Sequence, residues 1–197
     1  MSTNGSLGKQ TLADVLWCME PDWPSFLNKY AGWGHGEAKT IGDLTDEINA
    51  GESHLVIDSS GIHRVLSIVR MNIVNKNLGT LVHVKTVLPD GRVRKIQGLP
   101  SGKIIRGETP LAALQREMTE ELNLDPQWYT QTPQAVIMGE DPSKSYPRLP
   151  SIYEIHPWNI TIHEGIVELR QGGFVTQEDE QVLYFSWQKD FVPTPSA

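Results

Sequence analysis

Cysteine is nearly absent. Cys18 is the only one, so no disulfide can form within the chain, and a reducing compartment is the natural expectation. Long apolar runs are missing as well, with none approaching the ~20 residues needed to span a bilayer. Residues 1–10 are polar and lack the apolar centre of a signal peptide. These absences predict a cytoplasmic protein with no membrane partner. Basic residues are the minority, 17 Lys and Arg against 24 Asp and Glu, for a formal net charge of −7. A nucleic-acid polymer is therefore not an expected partner, because its phosphates call for clustered cations. A small anionic substrate stays open, since bound metal ions can reverse the local sign.

What is present divides the 197 residues in two. Residues 1–51 read as a polar tail followed by a helical accessory region. Thr11 and Thr40 are placed to cap short helices, Pro21 and Pro24 break the pattern, and Gly32, Gly34 and Gly36 mark a loop. Residues 52–197 read as the main domain. Strands are predicted over 54–58, 62–75 and 81–88, and Pro89-Asp90-Gly91 turns the chain into a further strand over 92–97. Further on, strands are predicted over 135–138, 152–162 and 182–187. Pro157 interrupts the second of these, so that strand is expected at a sheet edge or to carry a bulge.

The clearest helix is predicted over 109–122, with Thr109 as its cap and Pro110 in its first turn. At ~100° per residue, Leu111, Leu114, Met118 and Leu122 form an apolar stripe. Glu117, Glu120 and Glu121 fall on a neighbouring face, at spacings that make side chains neighbours. Carboxylates crowded in this way repel unless cations or protons compensate. Hard oxygen ligands suit Mg2+ or Mn2+ rather than zinc. Acidic residues on a helix are usually only a solvated face, so the weight of the argument falls on the wider pattern.

That pattern runs from Gly102 through five residues to Glu108, then seven residues to Arg116-Glu117, then Met118, Thr119, Glu120-Glu121, Leu122, Asn123 and Leu124. It resembles the Nudix box, with one departure: Asn123 stands where the family has glycine. The family glycine ends a helix in the left-handed region, and asparagine is the next most tolerant residue there.

The resemblance implies an α+β fold, a three-layer α/β/α sandwich on a mixed sheet, and metal-dependent hydrolysis of a diphosphate linkage in a nucleoside diphosphate derivative. It implies Glu117, Glu120 and Glu121 as metal ligands, with Glu117 also a candidate general base. Glu108 becomes a supporting ligand or an orienter through water, Arg116 the residue that positions a glutamate, and Ser101 or Gly102 a backbone contact to metal, with Gly102 also a candidate contact to substrate. Lys103 and Arg106 lie in the box loop as candidate substrate-binding cations. Many members take an extra catalytic carboxylate from a late loop, for which Glu178, Asp179 and Glu180 are candidates, a solvated acidic turn being the default.

The remaining candidates are weaker. Tyr146, Tyr153 and Trp158 could wall a substrate, but core or rim packing is the default. His83, His156 and His163 fall on strand patterns and read as satisfied polar groups, and Arg148 as a surface residue. Two rival functions stay open: an isoprenyl diphosphate isomerase or hydrolase of the same fold, and a non-catalytic nucleotide-binding regulatory module. The accessory region is a candidate to shape substrate choice or to build a homodimer.

Overall fold

A computed structural model describes residues 30–143, 145–163, 165, 172–178 and 181–192. The predicted tail, the helix at Thr11 and Cys18 lie outside the described residues. The elements in chain order are α1 (Ile41–Asn49), β1 (His54–Asp58), β2 (Gly61–Asn75), β3 (Gly79–Val87), β4 (Val93–Gly98), β5 (Ser101–Lys103) and α2 (Pro110–Glu120). A 3-10 turn (Pro126–Trp128) follows, then β6 (Tyr129–Pro133), β7 (Ile137–Pro142), β8 (Pro150–Ile162), β9 (Phe174–Glu178) and β10 (Gln181–Gln188). No helix among the described residues is long and apolar enough to cross a membrane.

The strands run β6-β8-β2-β3-β10-β9, with β1 and β5 also on β2, β4 on β3 and β7 on β8. The sheet is mixed: β2 and β8 pair in parallel from Arg64↔Ser151 to Ile73↔Ile160, and the other pairings are antiparallel. β2 joins β3 only through Val74↔Thr80 and Asn75↔Gly79. Elsewhere that edge of β2 pairs with β1 at positions 61–65 and with β5 at positions 68–70.

The unbroken β2–β8 register sends alternate residues of β2 to opposite faces. Val69, Met71 and Ile73 join Leu114 and Met118 of α2, with Trp158, Ile160 and Phe185, in the larger core. Ile62 lies on the other face in a smaller core with Tyr30, Leu44 of α1, Tyr146 and Leu149. Helices thus cover both faces of the mixed sheet, the expected α/β/α layering of an α+β fold. Leu111 departs from the predicted stripe: it is 41% exposed at the first turn of α2, while Ala113 is fully buried.

Pro157 corrects the expectation of an edge strand or a bulge. β8 is an interior strand, flanked by β2 on one side and by β6 and β7 on the other. Its pairing with β7 ends at Ile155 and that with β6 begins at Trp158. The Pro157 carbonyl, which accepts from Gln134 N at 2.9 Å, points toward that junction. In a strand, a residue's N–H and C=O point the same way, so the missing N–H falls where no partner strand waits for it.

α1 begins as predicted at Thr40, in a capping box with Asp43. It buries Glu47 between cations: Arg64 at 2.6 Å, Lys39 at 2.9 Å and Lys103 at 3.0 Å, with the Tyr146 hydroxyl donating at 3.0 Å. Burial pushes this carboxyl up, but Lys103, Arg64 and Lys39 outweigh burial and hold it at about 2, against a usual 4.5. A depressed carboxylate stabilises the fold above its unfolded pKa, and that contribution disappears as pH falls through the folded one.

Glu47→Ala leaves Arg64, Lys39 and Lys103 facing one another without their common anion. The expected cost is about 3–5 kcal/mol, the usual consequence of removing one partner from a buried pair. Urea unfolding at pH 7 measures it. The difference between wild type and variant should shrink as pH is lowered from 4.5 toward 2.

Candidate active site

The box folds as strand, loop and helix. β5 pairs with the middle of β2, placing Gly102 opposite Val69 and Lys103 opposite Ile68. Paired residues share a face, so Gly102 turns toward α2 and Lys103 toward α1. The loop then runs under Gly51, whose carbonyl accepts from Arg106 N at 2.9 Å. Thr109 caps α2 by accepting from Ala112 N at 3.2 Å, and Pro110 occupies the first helical position.

Arg116 is the hub of the site. Its guanidinium forks onto Glu108, Nε to Oε1 at 3.0 Å and Nη2 to Oε2 at 3.1 Å. Nη1 donates to Glu117 Oε1 at 2.7 Å and to Glu120 Oε2 at 3.2 Å, and Nη2 donates to the Lys103 carbonyl at 2.8 Å. Burial works against the Glu108 carboxylate, but the Arg116 hydrogen bond, the Ile105 N–H and the guanidinium charge hold its pKa below the usual range.

The box glutamates divide in two. Glu117 and Glu121 are buried, 3% and 4% exposed, and stand one turn apart on the inner side of α2. The Glu120 side chain is half-exposed and turns outward along Arg116. Glu117 lies against the backbone of Gly102 so closely that a Cβ there would fall 1.8 Å from its carboxyl carbon. The glycine is required by this close approach rather than by its torsion angles.

Asn123 has φ 50°, left-handed as predicted from its place in the pattern. Its N–H bonds the Thr119 carbonyl at 3.0 Å, and Leu124 N bonds the Met118 carbonyl at 2.9 Å, which closes the helix and buries Leu124.

Among the described residues, no three His, Cys, Asp or Glu side chains form a preformed metal cage. The donors that are present still fit a hard cation. They are two buried carboxylates, Glu117 and Glu121, beside a glycine whose bare backbone leaves room for close approach. Magnesium is commonly held by one or two carboxylates, with waters and substrate phosphates completing its shell.

The remaining predicted residues spread out. Lys103 turns away from the box glutamates and pairs with Glu52 and Glu47. Arg106 is exposed on the loop. Glu178 ends β9, whose Thr176 hydroxyl donates to the Glu120 carbonyl at 3.3 Å, so the β9–β10 hairpin reaches the end of α2; Glu180 lies outside the described residues. Tyr146 and Trp158 are core residues. Half-buried His83 contacts Thr86 Oγ1 at 3.0 Å, and partial burial lowers its pKa to about 4. Glu47, Ser67 and Glu154 were not among the predicted site residues. Only the alternation of Glu154 with His156 along a strand was available as a signal.

No protein-family model matches the chain, and no curated protein matches it. Solved structures that resemble it include a C. elegans Ap4A hydrolase binary complex (16% identity, TM-score 0.38), covering 63% of this chain and 80% of that one. The E. coli ORF135 protein gives 17% identity and a TM-score of 0.37 over 62% of this chain and 74% of that one. DR0079 from Deinococcus radiodurans gives 17% and 0.34 over 49% of this chain, which spans about half, 55%, of that protein's length. The box-like motif, with Asn123 in the glycine position, sits in an α+β fold with helices on both faces of a mixed sheet.

Two substitutions test the local geometry. Asn123→Gly removes the remaining penalty at positive φ and should stabilise by about 0.5–1 kcal/mol, less the extra unfolded-state entropy of glycine. Chemical denaturation measures this; a marked loss would mean that the asparagine side chain itself holds the turn. Gly102→Ala should force the Glu117 carboxylate from its seat. Mn2+ affinity, read by paramagnetic resonance, is expected to fall about tenfold or more, in line with losses from misplaced metal ligands, with α2 still folded by circular dichroism.

Proposed function

We propose that the chain is a Nudix-type hydrolase that splits a diphosphate linkage, in a nucleoside diphosphate derivative, with Mg2+ or Mn2+. The observation that carries this reading is the placement of Glu117 and Glu121. The two carboxylates are buried side by side, with Glu117 against the Gly102 backbone. Burying such charges is unfavourable unless cations compensate, and a divalent metal beside Gly102 would add to the charge of Arg116.

Glu117 and Glu121 would hold the metal, which when bound neutralises diphosphate charge and favours ionisation of water. Arg116 fixes Glu117 and Glu120 and joins them to Glu108 and the box loop. Glu120, half-exposed at the mouth, is open to solvent and to substrate water. In the reaction a water oxygen bonds to phosphorus, the bond from phosphorus to the leaving phosphate oxygen breaks, and a box carboxylate accepts the proton. Arg106 on the loop is the cation left for substrate phosphate, since Lys103 is committed to Glu47 and Glu52. The approach of the β9–β10 hairpin to α2 supports an additional carboxylate from Glu178 or Glu180.

The test is a panel of diphosphates with Mg2+ and Mn2+, with products identified by mass spectrometry in 18O-labelled water. Two phosphate-bearing products, one of them labelled, are expected. A rearranged allylic product would favour an isomerase, and tight binding without turnover a regulatory module. Glu121→Gln should lower turnover at least about a hundredfold, the scale of losing a principal electrostatic group, while metal-free melting temperature holds or rises. Near-full activity of this variant in magnesium would overturn the assignment.

A further inference from the structure

β5 is a strand of three residues, held to β2 by the pairs Ile68↔Lys103, Val69↔Gly102 and Arg70↔Ser101. Its middle residue tolerates little movement, because the Glu117 carboxylate fills the space that a Cβ on Gly102 would take. Metal and catalytic constellations work only within about 0.5 Å of their productive geometry. So short a strand therefore needs more than its backbone pairs to hold the seat of Glu117.

Residue 103 is gripped from both helical layers. Its carbonyl accepts from Arg116 Nη2 of α2 at 2.8 Å. Its side chain reaches the other layer, where Nζ stands 3.0 Å from Glu47 Oε1 and 2.5 Å from Glu52 Oε2. Glu47 is in turn fixed to β2: Arg64 Nη2 donates to its Oε2 at 2.6 Å, and both side chains are buried. The Tyr146 hydroxyl donates to Oε1 at 3.0 Å and limits rotation of the carboxylate. Arg64 lies four residues before Ile68, about 13 Å along the strand, and alternation puts both on the α1 face. Glu47 thus closes a brace behind the box, running from β2 through Arg64 to Lys103 on β5.

Such a brace is a poor source of stability as such. Buried ion pairs lose hydration, and apolar side chains of similar volume often hold a fold equally well or better. What the charges add here is a fixed distance between two strands. Lys39 shows the contrast. It meets the same Glu47 Oε1 at 2.9 Å with a side chain 25% exposed, against 3.0 Å and 27% for Lys103. Lys39, however, belongs to the segment before α1 and not to β5.

We propose that Glu47 is a positioning residue for the metal site: through Lys103 it fixes β5 on β2, and with it the Gly102 backbone that seats Glu117. The proposal rests on the hydrolase reading above for the presence of the metal.

The test reads Mn2+ affinity by paramagnetic resonance, with folding checked by circular dichroism. Lys103→Met keeps the apolar stem and removes the charge. Glu47→Gln keeps the shape and an acceptor for Tyr146. Each should weaken Mn2+ binding about tenfold, the low end for residues that orient metal ligands. Charge alone predicts the reverse for Lys103→Met, because losing a cation leaves the carboxylates more attractive to metal. Because Glu47 acts through Lys103, the double variant should bind no worse than Lys103→Met. Lys103→Arg should recover part of the affinity, and Lys39→Met should keep all of it. In turnover, kcat at saturating Mn2+ should return toward wild type, since the ligands themselves are intact. Unchanged or tighter binding in Lys103→Met, an equal loss in Lys39→Met, or additive losses in the double variant would each overturn the proposal.

A second readout needs no metal. With EDTA present, amide exchange should quicken in Lys103→Met, and not in Lys39→Met, at Ile104 and Arg106, whose N–H groups bond the Ser67 and Gly51 carbonyls at 2.9 Å. Equal rates in wild type and both variants overturn the brace. A wild type that binds Mn2+ and shows the expected pattern but hydrolyses no diphosphate upholds the brace and rejects the hydrolase reading. A wild type that hydrolyses diphosphates while Lys103→Met keeps its Mn2+ affinity does the opposite. A wild type without Mn2+ binding overturns both.

Discussion

Arg116 makes the box one object rather than a helix beside a loop. A helix places Glu117 and Glu120 relative to each other, but it cannot place either against Glu108 or against β5. The guanidinium does both, because its planar fork carries five donors in fixed directions. It grips both oxygens of Glu108, reaches Glu117 and Glu120, and caps the Lys103 carbonyl. Lysine offers one ammonium and could not reproduce that spread. A partly buried cation also moderates repulsion among carboxylates that would otherwise push the helix from the sheet.

From Lys103 the coupling continues to the opposite side of the sheet. Its carbonyl belongs to the box, but its side chain belongs to the accessory layer, where it meets Glu47 and Glu52. Close beside it, the Gly51 carbonyl accepts from Arg106 N, and a Cβ on Gly51 would come within 2.9 Å of the Arg106 Cβ. Gly51 has φ +77°, so only glycine fits both the torsion and the approach without strain. The turn that ends α1 therefore packs directly on the loop that carries Arg106 and Glu108. The accessory segment is a support for the box as well as a cover for the second core.

Sequence showed most plainly what short-range rules decide. Thr40 and Thr109 cap helices because their side chains satisfy nearby N–H groups, and Pro110 marks a first turn. Asn123 at positive φ follows from the same local logic. The direction of Lys103 was hidden, because one residue in a three-residue strand has no period to read, and the pairing with Ile68 decides it. Pro157 misled for a related reason: interior proline is tolerated only where two short neighbours leave a gap, and that gap belongs to β6 and β7. Ser67 and Glu154, 87 positions apart, meet through a parallel register that no local pattern encodes.

The parallel β2–β8 pair explains why the site sits where it does. β2 leaves β3 after two paired positions and gives its edge to β1 and β5, so the box loop enters beside the middle of the longest strand. On its other edge β8 runs in step for ten paired positions, from Arg64↔Ser151 to Ile73↔Ile160. α2 covers only the half of that face made of Val69, Met71 and Ile73 with Trp158 and Ile160. Extending the helix over Ser67 and Glu154 would bury a half-exposed carboxylate, at the cost of its hydration. Ser67 and Glu154 thus keep that part of the face polar and open, next to the row of Val69 and Gly102 on which Glu117 is seated.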